Sequence, residues 1–191
     1  MKKFNIENQI HFITIDTYNK IHLFKDKNLF EIIIDNIKFY KNKYGFKLFG
    51  YVIMPNHIHL LIQLNERWNN ISKIMQDFKS HTAKEIVDFL KTGRRKPSLA
   101  PYFDASEGSH LPEDYKWIDK GKTHTPSKNK VWQRDFYDLN IYSEEKLEQK
   151  LNYIHYNPVK AGLCKNPEDY KWSSCRNYEF GEDVLIKIDK L

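Results

Sequence analysis

Two histidines separated by one residue, His57 and His59, have a type and spacing suited to holding a metal ion. They stand in an apolar run that predicts a β-strand, in which residues i and i+2 point to the same side. Both imidazoles therefore leave one face of the strand, and Ile58 leaves the other. Imidazole is a common ligand of divalent metals, so the pair indicates part of a metal site. Two half-buried histidines on a sheet face, without a ligand, are the alternative that this motif leaves open.

A second group of reactive side chains lies in residues 152–158, Asn-Tyr-Ile-His-Tyr-Asn-Pro, at the end of a predicted helix. At about 100° per residue, Tyr153 and Asn157 lie one turn apart on the flank of an apolar stripe, so they can reach one target. Tyr156 projects roughly opposite that stripe. Because the chain has 12 tyrosines, most of which must be packing or surface residues, helical geometry alone does not single out Tyr153.

Hydrophobic periodicity predicts the elements that must position these side chains. Residues 9–18 alternate between two faces with the period of a strand. Residues 28–44 repeat apolar side chains at helical spacing, with Asn28 as the expected N-cap and Gly45 as the stop.

Two β-rich runs follow, residues 46–54 and 57–64, and the Pro55-Asn56 pair between them suits a tight hairpin connection. We expect this pair of strands to form the centre of an antiparallel sheet. A helix over about residues 70–90 carries an apolar stripe that would pack on that sheet.

The remaining chain begins with a stretch of different composition. Residues 91–130 are rich in Lys, Arg, Ser, Pro, Gly and Thr without a sustained period, which predicts a long, mobile, basic insertion. Residues 131–142 predict a short strand. A third helix should begin after Ser143 as N-cap and end near Tyr156, because Pro158 disfavours helical geometry in the residue before it.

A last helix or turn is expected around residues 167–178, after elements in the order β-α-β-β-α-β-α. This order predicts an α+β domain with helices packed on an antiparallel sheet. We expect one domain over residues 1–180 and a C-terminal tail over residues 181–191. The composition, 40% hydrophobic and 29% charged, is that of a globular protein and argues against a disordered or fibrous class.

The net charge and the cysteine count further limit the possible functions and compartments. A formal net charge of +6 and a pI of about 9.1 favour a polyanionic partner. The two cysteines, Cys164 and Cys175, allow one disulfide but no disulfide framework. Neither a signal peptide nor a stretch of membrane-spanning length is present in the sequence. We therefore expect a reduced, cytoplasmic protein.

Five short strings, spread along the chain in order, carry a family resemblance. They are Tyr51-Val-Ile-Met-Pro-Asn-His-Ile-His-Leu-Leu-Ile, Phe78-Lys-Ser, Trp132-Gln-Arg-Asp-Phe-Tyr-Asp, Tyr153-Ile-His-Tyr-Asn-Pro-Val-Lys-Ala-Gly-Leu and Tyr170-Lys-Trp-Ser-Ser. Together they resemble the REP-associated branch of the single-tyrosine HUH transposases. The resemblance runs from about Phe12 to Tyr178, with residues 91–130 as its main gap.

The resemblance implies a fold and a set of site residues. The family fold is a ferredoxin-like, four- or five-stranded antiparallel sheet with helices on its faces. The histidine–hydrophobic–histidine motif, which binds Mg²⁺ or Mn²⁺, maps to residues 57–59. The third metal-binding side chain maps to Asn157, and the nucleophilic tyrosine maps to Tyr153.

The resemblance also implies a reaction and its partners. The tyrosine would attack single-stranded DNA near a hairpin, form a covalent 5′-phosphotyrosine and transfer the strand. The enzyme would act as a homodimer at the nucleoid. A domesticated hairpin-binding protein without transposition, a replication-initiator-like HUH nuclease and a metal hydrolase that activates water are the alternatives.

Candidate DNA contacts are basic or aromatic side chains, and each has a simpler interpretation. The cations can be solvated surface charges, and aromatic residues in a strand more often pack in the core than stack on bases. The cations are Lys79, Arg134 and Lys160, then Lys84 and the cluster Arg94-Arg95-Lys96, and the aromatic residues are Trp132, Phe136 and Tyr137.

Overall fold

Four strands and four α-helices form the regular structure of residues 9–95, 130–181 and 185–189, which this computed structural model describes. The strands are β1 (Ile10–Asp16), β2 (Lys47–Met54), β3 (His57–Gln63) and β4 (Tyr137–Ile141). The helices are α1 (Lys27–Tyr44), α2 (Ile71–Thr92), α3 (Glu144–Lys160) and α4 (Cys175–Phe180). Short 3₁₀ turns lie at Tyr18–Lys20 and Pro167–Asp169. The α+β class and the predicted order of elements are confirmed.

The sheet is antiparallel and has the strand order β2-β3-β1-β4. The predicted hairpin is present, because β2 and β3 pair directly across the turn at Pro55 and Asn56. The prediction that the hairpin forms the centre of the sheet is wrong for β2, which lies at an edge. Strand β1 adds to the other side of β3, so β3 and β1 are the two central strands.

The edge of β2 is covered by the C-terminal part of the chain. Ile53 N donates to Trp172 O at 2.9 Å, and Ser174 N donates to Tyr51 O at 2.9 Å. Further along, Asp189 N donates to Leu48 O at 2.8 Å. Asp189, which falls in the expected tail, therefore bonds the edge of the sheet. A covered edge cannot add a strand from another molecule.

One face of the sheet packs on α1 and α2. Its buried side chains come from alternate positions of the two central strands, and each contributes about 1.5–3 kcal/mol on burial. They are Ile13, Ile15, Ile58, Leu60 and Ile62.

The opposite face of the sheet packs on α3. Phe12 and Leu61 form a second apolar cluster with Leu151 and Ile154 of this helix. The helix approaches β2 closely at Gly50, where an added Cβ would lie 2.7 Å from Leu151 Cδ1. Helix α3 is therefore held against the face to which His57 and His59 belong.

The predicted ends of α1 are partly corrected. Asp26, and not Asn28, is the N-cap, and its Oδ1 accepts from Asn28 N at 2.7 Å. An aspartate and an asparagine cap helices about equally well, so residue type did not decide between them. The helix ends as predicted at Gly45, whose φ of 63° lies in the left-handed region.

Helix α3 begins as predicted but ends later. Ser143 Oγ accepts from Lys146 N at 3.2 Å, as expected of the N-cap. The helix then continues through Pro158 to Lys160, so the predicted end near Tyr156 is wrong. The missing N–H of Pro158 costs one hydrogen bond, but Ala161 N donates to Asn157 O at 3.0 Å and continues the pattern. Tyr153, Asn157 and Lys160 therefore lie on one continuous helix.

The predicted basic insertion is described only at its ends. Residues 96–129 lie outside the described part of the chain, so the expected mobility and Lys96 do too. At the near end, Arg95 forms ion pairs with Glu31 and Asp35 of α1. Both cysteines are free thiols. Among the described helices, none combines the length and the apolar character needed to cross a bilayer.

The buried His155 predicts how stability depends on pH. Its Nε2 lies 3.0 Å from Ser174 Oγ, and burial lowers its pKa to about 4 from the usual 6.5. Between these values the unfolded chain binds a proton that the folded chain does not, so acid favours unfolding. The neutral His155 therefore contributes on the order of 3 kcal/mol to the free energy of unfolding. We expect this contribution to be intact above pH 6.5 and to be lost as the pH falls toward 4.

Urea unfolding of wild type and His155→Gln at a series of pH values measures this effect. The variant should lose less stability than wild type between pH 6.5 and 4, whatever its stability at neutral pH. Parallel pH curves for the two proteins would contradict the assignment.

Candidate active site

His57 and His59 lie side by side on β3, on the face that the strand period predicts, with ring centroids 4.7 Å apart. Across the sheet, Asp16 and Thr14 of β1 are their register partners. His59 Nδ1 lies 2.9 Å from Thr14 Oγ1, and His57 Nδ1 lies 2.7 Å from Asn56 Oδ1. Since each Nδ1 is held by an oxygen, each Nε2 is left to face another group.

Both imidazoles are in an environment that favours the neutral form. The pKa of His59 is lowered to about 3, chiefly by burial and also by the neighbouring His57 and Lys150. Burial also lowers the pKa of His57, an effect that the carboxylate of Asp16 opposes. A metal ligand must offer a lone pair, so neutral histidines are ready to coordinate near pH 7.

Asn157 extends from α3 to the histidine pair. Its Nδ2 donates to His59 Nε2 at 3.1 Å, and its side chain also hydrogen-bonds His57. Rotation of the amide by half a turn would present Oδ1 instead, so this side chain can offer an oxygen to a cation. Two imidazole nitrogens and one amide therefore converge. This set of neutral donors fits a divalent cation and leaves positions for other ligands.

No group of three or more His, Cys, Asp or Glu side chains arranged for a metal occurs in the part of the chain that the structure describes. A three-residue donor set at this position therefore depends on Asn157. The three side chains carry no negative charge, so they would leave much of the positive charge of a bound cation for an anionic ligand.

Tyr153 lies one helical turn before Asn157, at the border of the histidine pair. Its ring is 39% exposed, and its centroid is 5.3 Å from that of His59. Phe12 joins the two, because it stacks on His59 at 5.2 Å and meets the edge of Tyr153 at 5.8 Å. Tyr156 is 51% exposed. The structure thus brings Tyr153, His57, His59 and Asn157 together, as the family resemblance implies.

Besides Asn56, four residues of this site were not identified from the sequence. Thr14 and Asp16 contact or face the histidines, Phe12 supports His59 and Tyr153, and Lys150 lies beside Tyr153. The register of β1 against β3 was needed to find the first three. Lys150 precedes Tyr153 by three residues, so helical spacing alone could have identified it.

The predicted DNA-contacting cations fall in different places. Lys160 Nζ lies 5.5 Å from the Tyr153 ring centroid, at the site. Lys79 Nζ instead donates to the backbone oxygens of Arg134 and Asp135, at 2.7 and 3.2 Å. Arg134 is exposed in that loop, and Gln133 N donates to Asp16 O at 3.0 Å. Lys79 therefore holds a loop that borders the site. Lys84 and Arg94 are exposed.

Of the three aromatic residues considered for stacking on bases, some lie in the core and one lies at the surface. Trp132 is buried, and its Nε1 donates to Thr82 Oγ1 at 2.9 Å, so the core interpretation is right for it. Phe136 packs partly buried against the core. Tyr137 is 52% exposed, with its ring 6.4 Å from Phe12. Only the last of these three has a face free beside the site.

Known proteins resemble this chain in sequence and in fold. Residues 5–103 match the family model described as transposase, IS200 like. A Haemophilus influenzae protein assigned to the REP-associated tyrosine transposases is 29% identical over 149 residues, which is 76% of this chain and 65% of that protein. The chain thus spans less than two thirds of the length of that relative.

A solved structure extends the likeness to the whole fold. It is a REP-associated tyrosine transposase bound to a REP hairpin, and it superposes with a TM-score of 0.60. The superposition covers 99% of this chain and 91% of that chain, at 18% sequence identity. The four-stranded antiparallel sheet with its helices is therefore a fold that the two proteins share.

Proposed function

Because the chain belongs to the family of IS200-like transposases, we propose that it cleaves and rejoins single-stranded DNA through Tyr153. A divalent cation held by His57, His59 and Asn157 would assist. The observation that carries this proposal is the meeting of two elements. Asn157 of α3 hydrogen-bonds the histidine pair of β3, and Tyr153, one turn away, borders the same pair.

Tyr153 supplies the nucleophile. As its Oη attacks phosphorus, the Oη–P bond forms and the bond from phosphorus to the 3′ oxygen breaks. The phenol proton passes to solvent, and the departing 3′ oxygen takes up a proton to leave as a hydroxyl. The product is a covalent 5′-phosphotyrosine. Phenolate is a good leaving group, so another 3′-hydroxyl can reverse the transfer and seal a strand without ATP.

His57, His59 and Asn157 hold the cation and leave it open to the DNA. Thr14 and Asn56 hold the two rings through their Nδ1 atoms, and Asn157 hydrogen-bonds both histidines. When bound, Mg²⁺ or Mn²⁺ would neutralise charge on a non-bridging phosphate oxygen. The rigid central strand positions the phosphate, and the separate helix α3 presents the tyrosine.

The substrate we propose is single-stranded DNA that carries a hairpin, taken by a homodimer at the nucleoid. The hairpin-bound state of the solved relative supports the hairpin, and the homodimer rests only on the family resemblance of the sequence. Lys160 and Arg134 would contact phosphates beside the site, and Lys79 would act by holding the loop of Arg134. The exposed ring of Tyr137 would stack on a base.

Incubation of the protein with a pool of single-stranded hairpins and Mn²⁺ or Mg²⁺ tests the proposal. We expect a covalent protein–DNA band on a denaturing gel, which chelation by EDTA prevents. Cleaved DNA without this band would favour a hydrolase that activates water. Hairpin binding with neither product would favour a binding protein without transposition.

A further inference from the structure

Two lysines flank Tyr153 on α3. Lys150 Nζ lies 5.4 Å and Lys160 Nζ lies 5.5 Å from the centroid of the tyrosine ring. Residues 150, 153, 157 and 160 follow one another at spacings of three and four, so they share one face of the helix. The tyrosine is therefore the middle of a short cationic row that also contains Asn157.

Lys150 is the inner member of this row. Its Nζ lies 4.6 Å above the ring of Phe12, and Phe12 stacks on His59. Burial lowers the pKa of Lys150, and Lys146 adds to that effect. The ammonium group thus acts on the same small region as the histidine pair.

No carboxylate forms an ion pair with Lys150 in the described part of the chain. Within residues 9–95, 130–181 and 185–189, the ion pairs involve other lysines, such as Lys73 with Asp77, and neither Lys150 nor Lys160. The faces of Phe12 and Tyr153 compensate only in part for the water that Lys150 loses, since cation–π contacts are weak. A half-buried ammonium in this position would be stabilised by an anionic ligand.

We propose that Lys150 and Lys160 form a phosphate clamp around Tyr153, a role that rests on the proposed function. Lys150, on the side of His59, contacts a non-bridging oxygen of the phosphate that Tyr153 attacks. Lys160, on the outer side, contacts a neighbouring phosphate of the same strand. Lys150 then donates hydrogen bonds to the oxygens on which charge is concentrated during the transfer.

The first test measures the rate of adduct formation at saturating single-stranded hairpin DNA. We expect Lys150→Gln to slow this rate by on the order of 100-fold, the typical effect of losing one donor to a reacting oxyanion. Lys150→Arg should recover part of the rate, because it restores the charge. Lys146→Gln is the matched control: it removes the same charge one turn earlier, where Lys146 bonds Gln149, and should change the rate by less than about threefold.

The second test measures binding in the Tyr153→Phe background, where no cleavage interferes. Loss of one phosphate contact should reduce the slope of log Kd against log salt by about 0.7. Lys150→Gln should show this change with an ordinary strand. It should show none with a strand whose cleaved phosphate is replaced by an uncharged methylphosphonate.

These measurements separate the clamp from the proposed function. If Lys150→Gln matches Lys146→Gln in both rate and salt slope, the clamp is wrong although the tyrosine chemistry stands. An effect of Lys150→Gln on binding that persists undiminished with the methylphosphonate strand would also overturn the contact. If wild type forms no adduct but Lys150→Gln still lowers the salt slope, a phosphate contact of Lys150 is supported and the cleavage proposal fails.

Discussion

Replacing Tyr153 with phenylalanine is expected to abolish the covalent protein–DNA adduct completely. The substitution removes the only atom that forms the bond to phosphorus and keeps the ring that contacts Phe12 and His59. Binding of uncleaved hairpin DNA should stay within about tenfold of wild type, because at most one hydrogen bond is lost. Adduct bands on denaturing gels and Kd values from anisotropy measure the two effects.

The matched control for this prediction is Tyr156→Phe. Tyr156 belongs to the same helix and is also exposed, but it projects away from the apolar stripe that holds the helix on the sheet. This variant should form the adduct at a rate close to that of wild type. An adduct that survives in Tyr153→Phe and disappears in Tyr156→Phe would transfer the nucleophilic role to Tyr156.

The two halves of the site were predictable from local periodicity. A period of two puts His57 and His59 on one face of β3, and a turn of 3.6 residues puts Tyr153 beside Asn157. Neither period says that the two halves meet. The family resemblance implied that the two halves meet. In the structure, the hydrogen bond from Asn157 to His59 joins them.

The parts that the sequence did not predict depend on long-range pairing. Thr14 faces His59 only because β1 pairs with β3 in one particular register, and no local pattern specifies that register. The same pairing displaced β2 to the edge of the sheet. The backbone groups on the free edge of β2 then hydrogen-bond Trp172 and Ser174, which lie more than a hundred residues later.

The continuation of α3 past Pro158 has a functional consequence. A helix that ended at Tyr156 would leave Asn157 and Lys160 without a fixed direction. Pro158 is itself buried, and packing compensates for the hydrogen bond that its ring removes. Local preference predicted an end to the helix, and burial of its apolar face extended it by one more turn.

Replacing His59 or His57 with alanine is expected to remove metal binding and with it adduct formation. Either change deletes one of the two nitrogen donors that face Asn157. The rate should fall by at least about 100-fold, the usual effect of losing charge stabilisation at a reacting phosphate. Titration with Mn²⁺, followed by electron paramagnetic resonance, measures the binding without reference to activity.

The pH dependence of Mn²⁺ binding gives the same prediction a second readout. An ordinary histidine would begin to lose metal to protons below about pH 6.5. Burial holds the pKa of His59 near 3 and lowers that of His57, so protons compete with the metal only in stronger acid. We therefore expect a constant Mn²⁺ affinity from pH 8 to 6. His81→Ala, a histidine of α2 that bonds Tyr40 away from the site, should leave affinity and rate unchanged. Tight Mn²⁺ binding by His59→Ala and His57→Ala would place the metal elsewhere.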